Sequence, residues 1–260
     1  MRYFASRNIR WLRWQGAWVL GWLLALGLFL GACAGREMVR RSADEWFDLG
    51  REQLARGKYQ KAETAFSKLL EQHPQDRRRA EALLGMAEAL YSNKRYEEAK
   101  FQYRRFLELY PTHAEVANAQ FHIAMSAFQR MRSLDRDQTL AQEALQEFQR
   151  LVKTYPRSTF VEQAKQKLAA CRERLAASEL YVGRFYYKKG AYTAAIGRFD
   201  GLLRAYPEVS FADEALFLLG DTYVRNENPQ QAATVFDELV KRYPQSPYAS
   251  NAKARLASLR

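Results

Sequence analysis

Five of the seven prolines close the same phrase, A-x-x-x-[FY]-x-x-x-x-x-x-x-P, and this recurrence limits the fold more than any other feature of the chain. It reads Ala62–Phe66–Pro74, Ala99–Tyr103–Pro111, Ala144–Phe148–Pro156, Ala195–Phe199–Pro207 and Ala232–Phe236–Pro244. Three residues past each aromatic stands Leu69, Phe106, Leu151, Leu202 or Leu239. Residues at i, i+4 and i+7 share one face of an α-helix, so each phrase predicts a helix. Its alanine admits a close neighbour and its aromatic ring fills the space beyond. The proline ends the helix, because it disfavours the α conformation in the preceding residue and has no N–H to donate.

A second amphipathic helix lies upstream of each phrase. It shows as Trp46-x-x-Leu49-Gly50, as Val182-Gly183-x-x-Tyr186 and as Leu216-x-x-Leu219-Gly220-x-x-Tyr223. Helix, turn, helix at this period is the tetratricopeptide pattern, and it covers residues 44–245. The expected fold is all-α: a solenoid of five helical hairpins without strands, closed by a capping helix in Tyr248–Arg260. The spacing also varies. An extra stretch, Met131–Gln138, falls between the two helices of repeat three. Thr159–Lys189 holds no proline and a single glycine, which predicts one long helix closing repeat three and opening repeat four. The repeats thus divide into 44–158, repeats one to three, and 159–260, repeats four and five with the cap.

Residues 1–32 have a different character. Arg2, Arg7, Arg10 and Arg13 precede an uncharged run from Gly16 to Ala32. A basic head, an apolar run and small residues at its end describe a secretory signal peptide, and the run is short of the roughly twenty residues a membrane span needs. It ends at Leu30-Gly31-Ala32-Cys33, which resembles the lipobox of bacterial lipoproteins. That resemblance implies cleavage before Cys33, a covalent lipid on its thiol, and a tether over 33–43. Ala34 after the cysteine implies the outer membrane as destination. The other reading is an uncleaved N-terminal anchor.

Little in the sequence suggests catalysis. Thirteen glycines include no G-x-G-x-x-G or G-K-[ST] arrangement, and two cysteines and three histidines lie too far apart for a motif-like metal site. No enzyme activity, no metal and no cofactor beyond the lipid on Cys33 are expected. Cys171, in L-A-A-C-R-E-R-L, is expected to be packing and not half of a disulfide. The formal charge is +12, but four of the 41 bases lie in 1–32, leaving 37 against 29 acids. Such an excess suits anionic partners of several kinds. Nucleic acid is excluded by the compartment and by a longest basic run of only Arg77-Arg78-Arg79.

Stacked hairpins offer a continuous concave wall lined by the first helix of each pair. Carried over from the tetratricopeptide pattern, the wall positions are Phe47, Arg51 and Leu54, then Leu84, Glu88 and Tyr91, then Phe121, Met125 and Phe128. The later repeats supply Arg184, Lys188, Asp221 and Arg225. The wall is therefore expected to change from apolar to charged along its length.

The phrases SLDRDQTLAQEALQEFQRLVKTYPRS, CRERLAASELYVGRFYYKKGAY and IGRFDGLLRAYPE, together with the lipobox, resemble the BamD family, tetratricopeptide lipoproteins of the β-barrel assembly machinery. The resemblance is strongest over repeats three and four. It implies a lipid-anchored, periplasm-facing scaffold at the outer membrane of a Gram-negative bacterium. Repeats one to three would recognise targeting segments of unfolded outer-membrane protein clients. Repeats four and five would dock on POTRA domains of a BamA-like barrel subunit, alongside other assembly-machinery lipoproteins. Arg198, turned about 100° away from the core residue Phe199, is the expected principal docking contact, with Arg184 and Lys188 as further docking residues. The alternative is a tetratricopeptide envelope adaptor for peptidoglycan or Tol–Pal machinery; the lipobox and the repeat-three insertion favour the assembly family.

Overall fold

In the computed structural model, residues 41–259 are described; the segment expected to be a signal peptide, Cys33 and most of the expected tether lie outside them. The described residues form eleven helices and no strand. The hairpins are α1 (Ala43–Ala55) with α2 (Tyr59–Gln72), α3 (Arg79–Ser92) with α4 (Tyr96–Leu109), and α5 (Val116–Phe128) with α6 (Thr139–Thr154). Then come α7 (Val161–Lys188) with α8 (Tyr192–Ala205), α9 (Ala212–Arg225) with α10 (Pro229–Arg242), and the cap α11 (Ala249–Ser258). Each helix packs on the next, as a tetratricopeptide solenoid requires.

The proline phrase accounts for the frame. Phe66, Phe106, Phe148, Phe199 and Phe236 are fully buried, with Leu69, Leu151, Leu202 and Leu239 beside them; Tyr103 takes the ring position in repeat two. The second helix of every pair stops two residues before its proline. The cap residues His73, Tyr110, Tyr155, Tyr206 and Tyr243 leave the α region with φ between −124° and −136°. Each cap N–H still donates to the carbonyl four residues back, so the helix end is satisfied before the chain turns. The partner helix comes very close: a Cβ on Gly183 would lie 2.4 Å from the Phe199 ring, and one on Gly220 2.5 Å from Phe236. Between helices of a pair the turn needs one left-handed residue, supplied by Gly57, Lys94, Gly190 and Glu227, with φ of 69°, 61°, 75° and 58°.

Repeat three lacks that turn and has the longer loop instead. Ser178 of α7 donates to the Leu134 carbonyl at 2.9 Å, which pins the loop to the following helix. The predicted long helix is α7, 28 residues or about 42 Å. Its first half, with Val161, Ala164 and Cys171, shares a core with Phe121 and Phe148 of repeat three. Its second half, from Ala176 and Leu180 onward, shares one with Phe199, Leu216 and Phe236. Cys171 is buried packing, and burial pushes its thiol up to about 12.

Candidate functional site: the wall of first helices

In repeats one and two the expected wall residues stand where a ligand could reach them. Phe47 is half-buried, meets Phe66 edge-on at 6.0 Å, and carries the Arg78 guanidinium 5.6 Å above its ring. Leu54 and Leu84 are half-buried against the same core, while Arg51 and Glu88 are exposed. Tyr91, also half-buried, meets Tyr96 at 5.2 Å and His122 at 5.1 Å. Partial desolvation by the surrounding protein raises the Glu88 carboxyl above the usual range although the residue stays accessible. Burial lowers His122, which lies stacked on Tyr103 at 5.3 Å with its Nδ1 3.0 Å from the Asn118 carbonyl.

Repeat three corrects the expectation. Phe121 is only 4% exposed and Met125 8%, so neither lies on an open wall. Phe160, just before α7, stacks on Phe121 at 5.0 Å, and Val161 and Ala164 complete the cover. Only Phe128 stays half-buried, with the Lys167 ammonium 4.9 Å from its ring centroid. The accessible apolar wall is therefore Phe47, Leu54, Leu84, Tyr91 and Phe128.

The wall of repeats four and five is charged, and one of its charges is hidden. Arg184 is exposed and pairs with Glu214 of α9; Lys188 is exposed as well. Asp221, by contrast, is 6% exposed, which corrects its placement among the open wall residues. Its carboxylate accepts from the Tyr187 hydroxyl, from Arg225 Nε at 2.9 Å and from Arg255 Nη2 at 3.2 Å. The Arg225 guanidinium lies 5.1 Å from the Tyr187 ring centroid. Burial works against the charge on Asp221, but the bonds from Tyr187 and Arg225 and the two guanidinium charges outweigh it and hold the carboxyl below its usual range. Arg255 is a member of this cluster that the repeat pattern does not point to: it belongs to the cap helix, 34 residues beyond its partner.

Arg198 sits elsewhere. It pairs with Glu179 of α7 at 3.1 Å, whereas Asp200, the acid nearest in sequence, holds Arg204. The pair borders a cleft of about 430 Å³ between the repeat-three loop, α7 and α8, lined also by Gln138, Ser178, Gly197 and Gly201. Glu179 and Arg184 are five residues apart on α7, about 140° around the helix, so Arg198 does not share a face with Arg184. The three expected docking residues thus divide between two faces. Among the described residues no three His, Cys, Asp or Glu side chains converge as metal ligands would. No described helix is long and apolar enough to cross a membrane.

This architecture defines a tetratricopeptide-repeat solenoid, a class that presents binding walls. The sequence profile of YfiO, the outer membrane lipoprotein family, matches residues 40–228, and a tetratricopeptide profile matches 214–246. The chain belongs to the YfiO family of outer membrane lipoproteins, and the outer membrane is its place. It is similar to the outer membrane protein assembly factor BamD of Rickettsia prowazekii, 29% identical over 90% of this chain and 94% of that one. The BamD of Neisseria meningitidis serogroup A is 27% identical over 88% and 92%. That of Caulobacter vibrioides is 29% identical over 75% of this chain and 66% of its own, just under two thirds of that relative's length. Among solved structures, the TPR2AB domain of yeast Sti1 in its pHSP90 complex aligns over 84% of this chain and 82% of its own, at 14% identity and a TM-score of 0.43.

Proposed function

We propose that the chain is a non-enzymatic scaffold for assembly of β-barrel proteins in the outer membrane, held there by a lipid on Cys33 and facing the periplasm. Family membership carries this reading, since the family profile runs from the tether through most of the repeat array and the BamD relatives are assembly factors. The partly open aromatic and aliphatic groups of repeats one and two, with Phe128, suit aromatic-bearing client segments. Such groups give large contact area at low entropic cost. The Arg198 face suits a folded POTRA domain of a BamA-like subunit, because a guanidinium already held by Glu179 can exchange into a bidentate partner pair.

A photo-crosslinking amino acid at Leu84 should capture a synthetic barrel-protein C-terminal peptide, and one at Gly201, in the same cleft as Arg198, should capture purified POTRA domains. Arg198→Glu should weaken POTRA binding more than about tenfold, as loss of an interfacial charge pair does. Binding within threefold of the unmodified chain would place the docking surface elsewhere. Cys33→Ser should leave the precursor uncleaved and unlipidated; normal maturation of that variant would remove the anchor from the reading.

A further inference from the structure

We propose that Arg225 and Arg255, both anchored on Asp221, form a docking site for an extended polypeptide segment that carries Asp or Glu side chains. The Asp221 carboxylate is buried and takes three donors, so it is a fixed mount and not itself a ligand-binding group. The two guanidiniums it holds come from different helices, α9 and α11, and their side chains are 49% and 50% exposed. Each guanidinium carries five N–H donors; Asp221 takes only part of each fork, and the Tyr192 side chain takes a further bond from Arg225. One carboxylate also leaves the pair with an excess positive charge. The Tyr187 ring packs against the Arg225 guanidinium, and the exposed Lys188 and Lys189 follow Tyr187 in sequence.

Two oriented forks with free edges match carboxylates, which planar guanidiniums bind through paired hydrogen bonds. The anchoring reduces the ordering cost that a free arginine would meet on binding. First helices of stacked hairpins form a concave wall that suits an extended chain, and Arg225 stands on one of them. This site is separate from the apolar wall of repeats one and two and does not depend on what that wall binds.

The test uses the full chain in detergent micelles and a short fluorescent Glu-Ser-Glu-Gly repeat peptide, followed by anisotropy. Binding should weaken as salt rises and should fall at least about tenfold in Arg225→Gln and in Arg255→Gln. Arg204→Gln, which removes a surface arginine paired with Asp200, should bind as the unmodified chain does. The double variant Arg225→Glu/Arg255→Glu should prefer a Lys-Ser-Lys-Gly peptide, a gain that mere loosening of the cap cannot produce. In the unmodified chain, the acidic peptide should slow hydrogen exchange in α9 and α11. Equal affinity for a Gln-Ser-Gln-Gly peptide overturns the proposal, as does absence of slowed exchange in those helices. So does binding of phosphatidylglycerol vesicles or inorganic phosphate that depends on both arginines while the acidic peptide does not bind.

Discussion

Met125 and Asp221 occupy the same place in their hairpins, one residue past the small residue of the first helix that faces the buried ring of the second. Both are buried, at 8% and 6% exposure, yet one is a thioether in a dry cluster and the other a carboxylate. The difference lies in the helix that packs over each hairpin. After repeat three the chain returns with Phe160, Val161 and Ala164, an apolar lid that suits Met125. After repeat five it returns with Arg255 on the cap helix, which gives Asp221 a charged partner. The equivalent Arg51, Glu88 and Arg184 are exposed, so the helix packed over the position sets both its depth and the chemistry that is stable there.

The largest effect that can break this comparison is at Phe121. If α7 truly closes over repeat three, Phe121→Ala should cost about 3–5 kcal/mol in urea unfolding, as much as Phe199→Ala in the core of repeat four. A loss below about 1 kcal/mol would return Phe121 to an open wall and would make repeat three resemble repeats one and two.

Asp221→Ala should come next, costing about 1.5–3 kcal/mol, the scale of a hydrogen bond to a charged group. The pH dependence separates the two halves of the wall. Asp221 has a folded value below its unfolded one, so its stabilisation is complete above the ordinary carboxylate range and is lost as pH falls through the folded value. Glu88 is raised, so its contribution is the reverse: greatest at acid pH and lost as pH rises through its folded value. Thermal melts across the acid range should show a shallower decline for Asp221→Asn and a steeper one for Glu88→Gln than for the unmodified chain. The same slope change in both variants would contradict the contrast.

Glycines of repeat four provide a smaller test within a single hairpin. Gly183→Ala sets a methyl against the buried Phe199 ring and should cost about 1–3 kcal/mol through overpacking. Gly197, on the next helix, has nothing within 4 Å of a built Cβ, and Gly197→Ala should gain about 0.5–1 kcal/mol from helix propensity. Equal signs at the two sites would mean that α7 and α8 do not approach as closely as described.

The sequence shows its fold through residues whose role is local. Proline, the alanine at i and the ring at i+4 act within one helix, and the hairpin count, the long helix and the cap all derive from them. The site is less legible because its chemistry depends on distant returns of the chain. Nothing near Phe121 says that Phe160 will stack on it, since the apolar spacing of α5 is the same whether the wall is open or covered. In sequence Arg198 stands beside Asp200, but its partner Glu179 lies 19 residues back on another helix. Asp221 reads as a surface acid beside Arg225 until the cap helix brings in Arg255. A signal is available there: a helix ending in cations, coming after an acid placed against a small-residue contact.

The smallest effect concerns the turns. Repeat two makes its left-handed turn with Lys94 and repeat four with Gly190, at φ of 61° and 75°. A side chain in that region costs about 1–2 kcal/mol, whereas glycine adopts it freely but loses more backbone entropy on folding, about 0.4–1 kcal/mol. In Lys94→Gly the two terms oppose each other and should leave a gain between about 0 and 1.5 kcal/mol. Gly190→Ala runs the same exchange backwards. Its Cβ would meet nothing within 4 Å, so only the backbone terms remain, and a loss of similar size is expected. Chemical denaturation of the two variants in parallel reads the turn itself, free of packing. Matching changes of opposite sign would show that the repeats share one turn geometry on both sides of α7. A neutral Gly190→Ala would show that repeat four tolerates a different turn, and the likeness of the two halves would then stop at their cores.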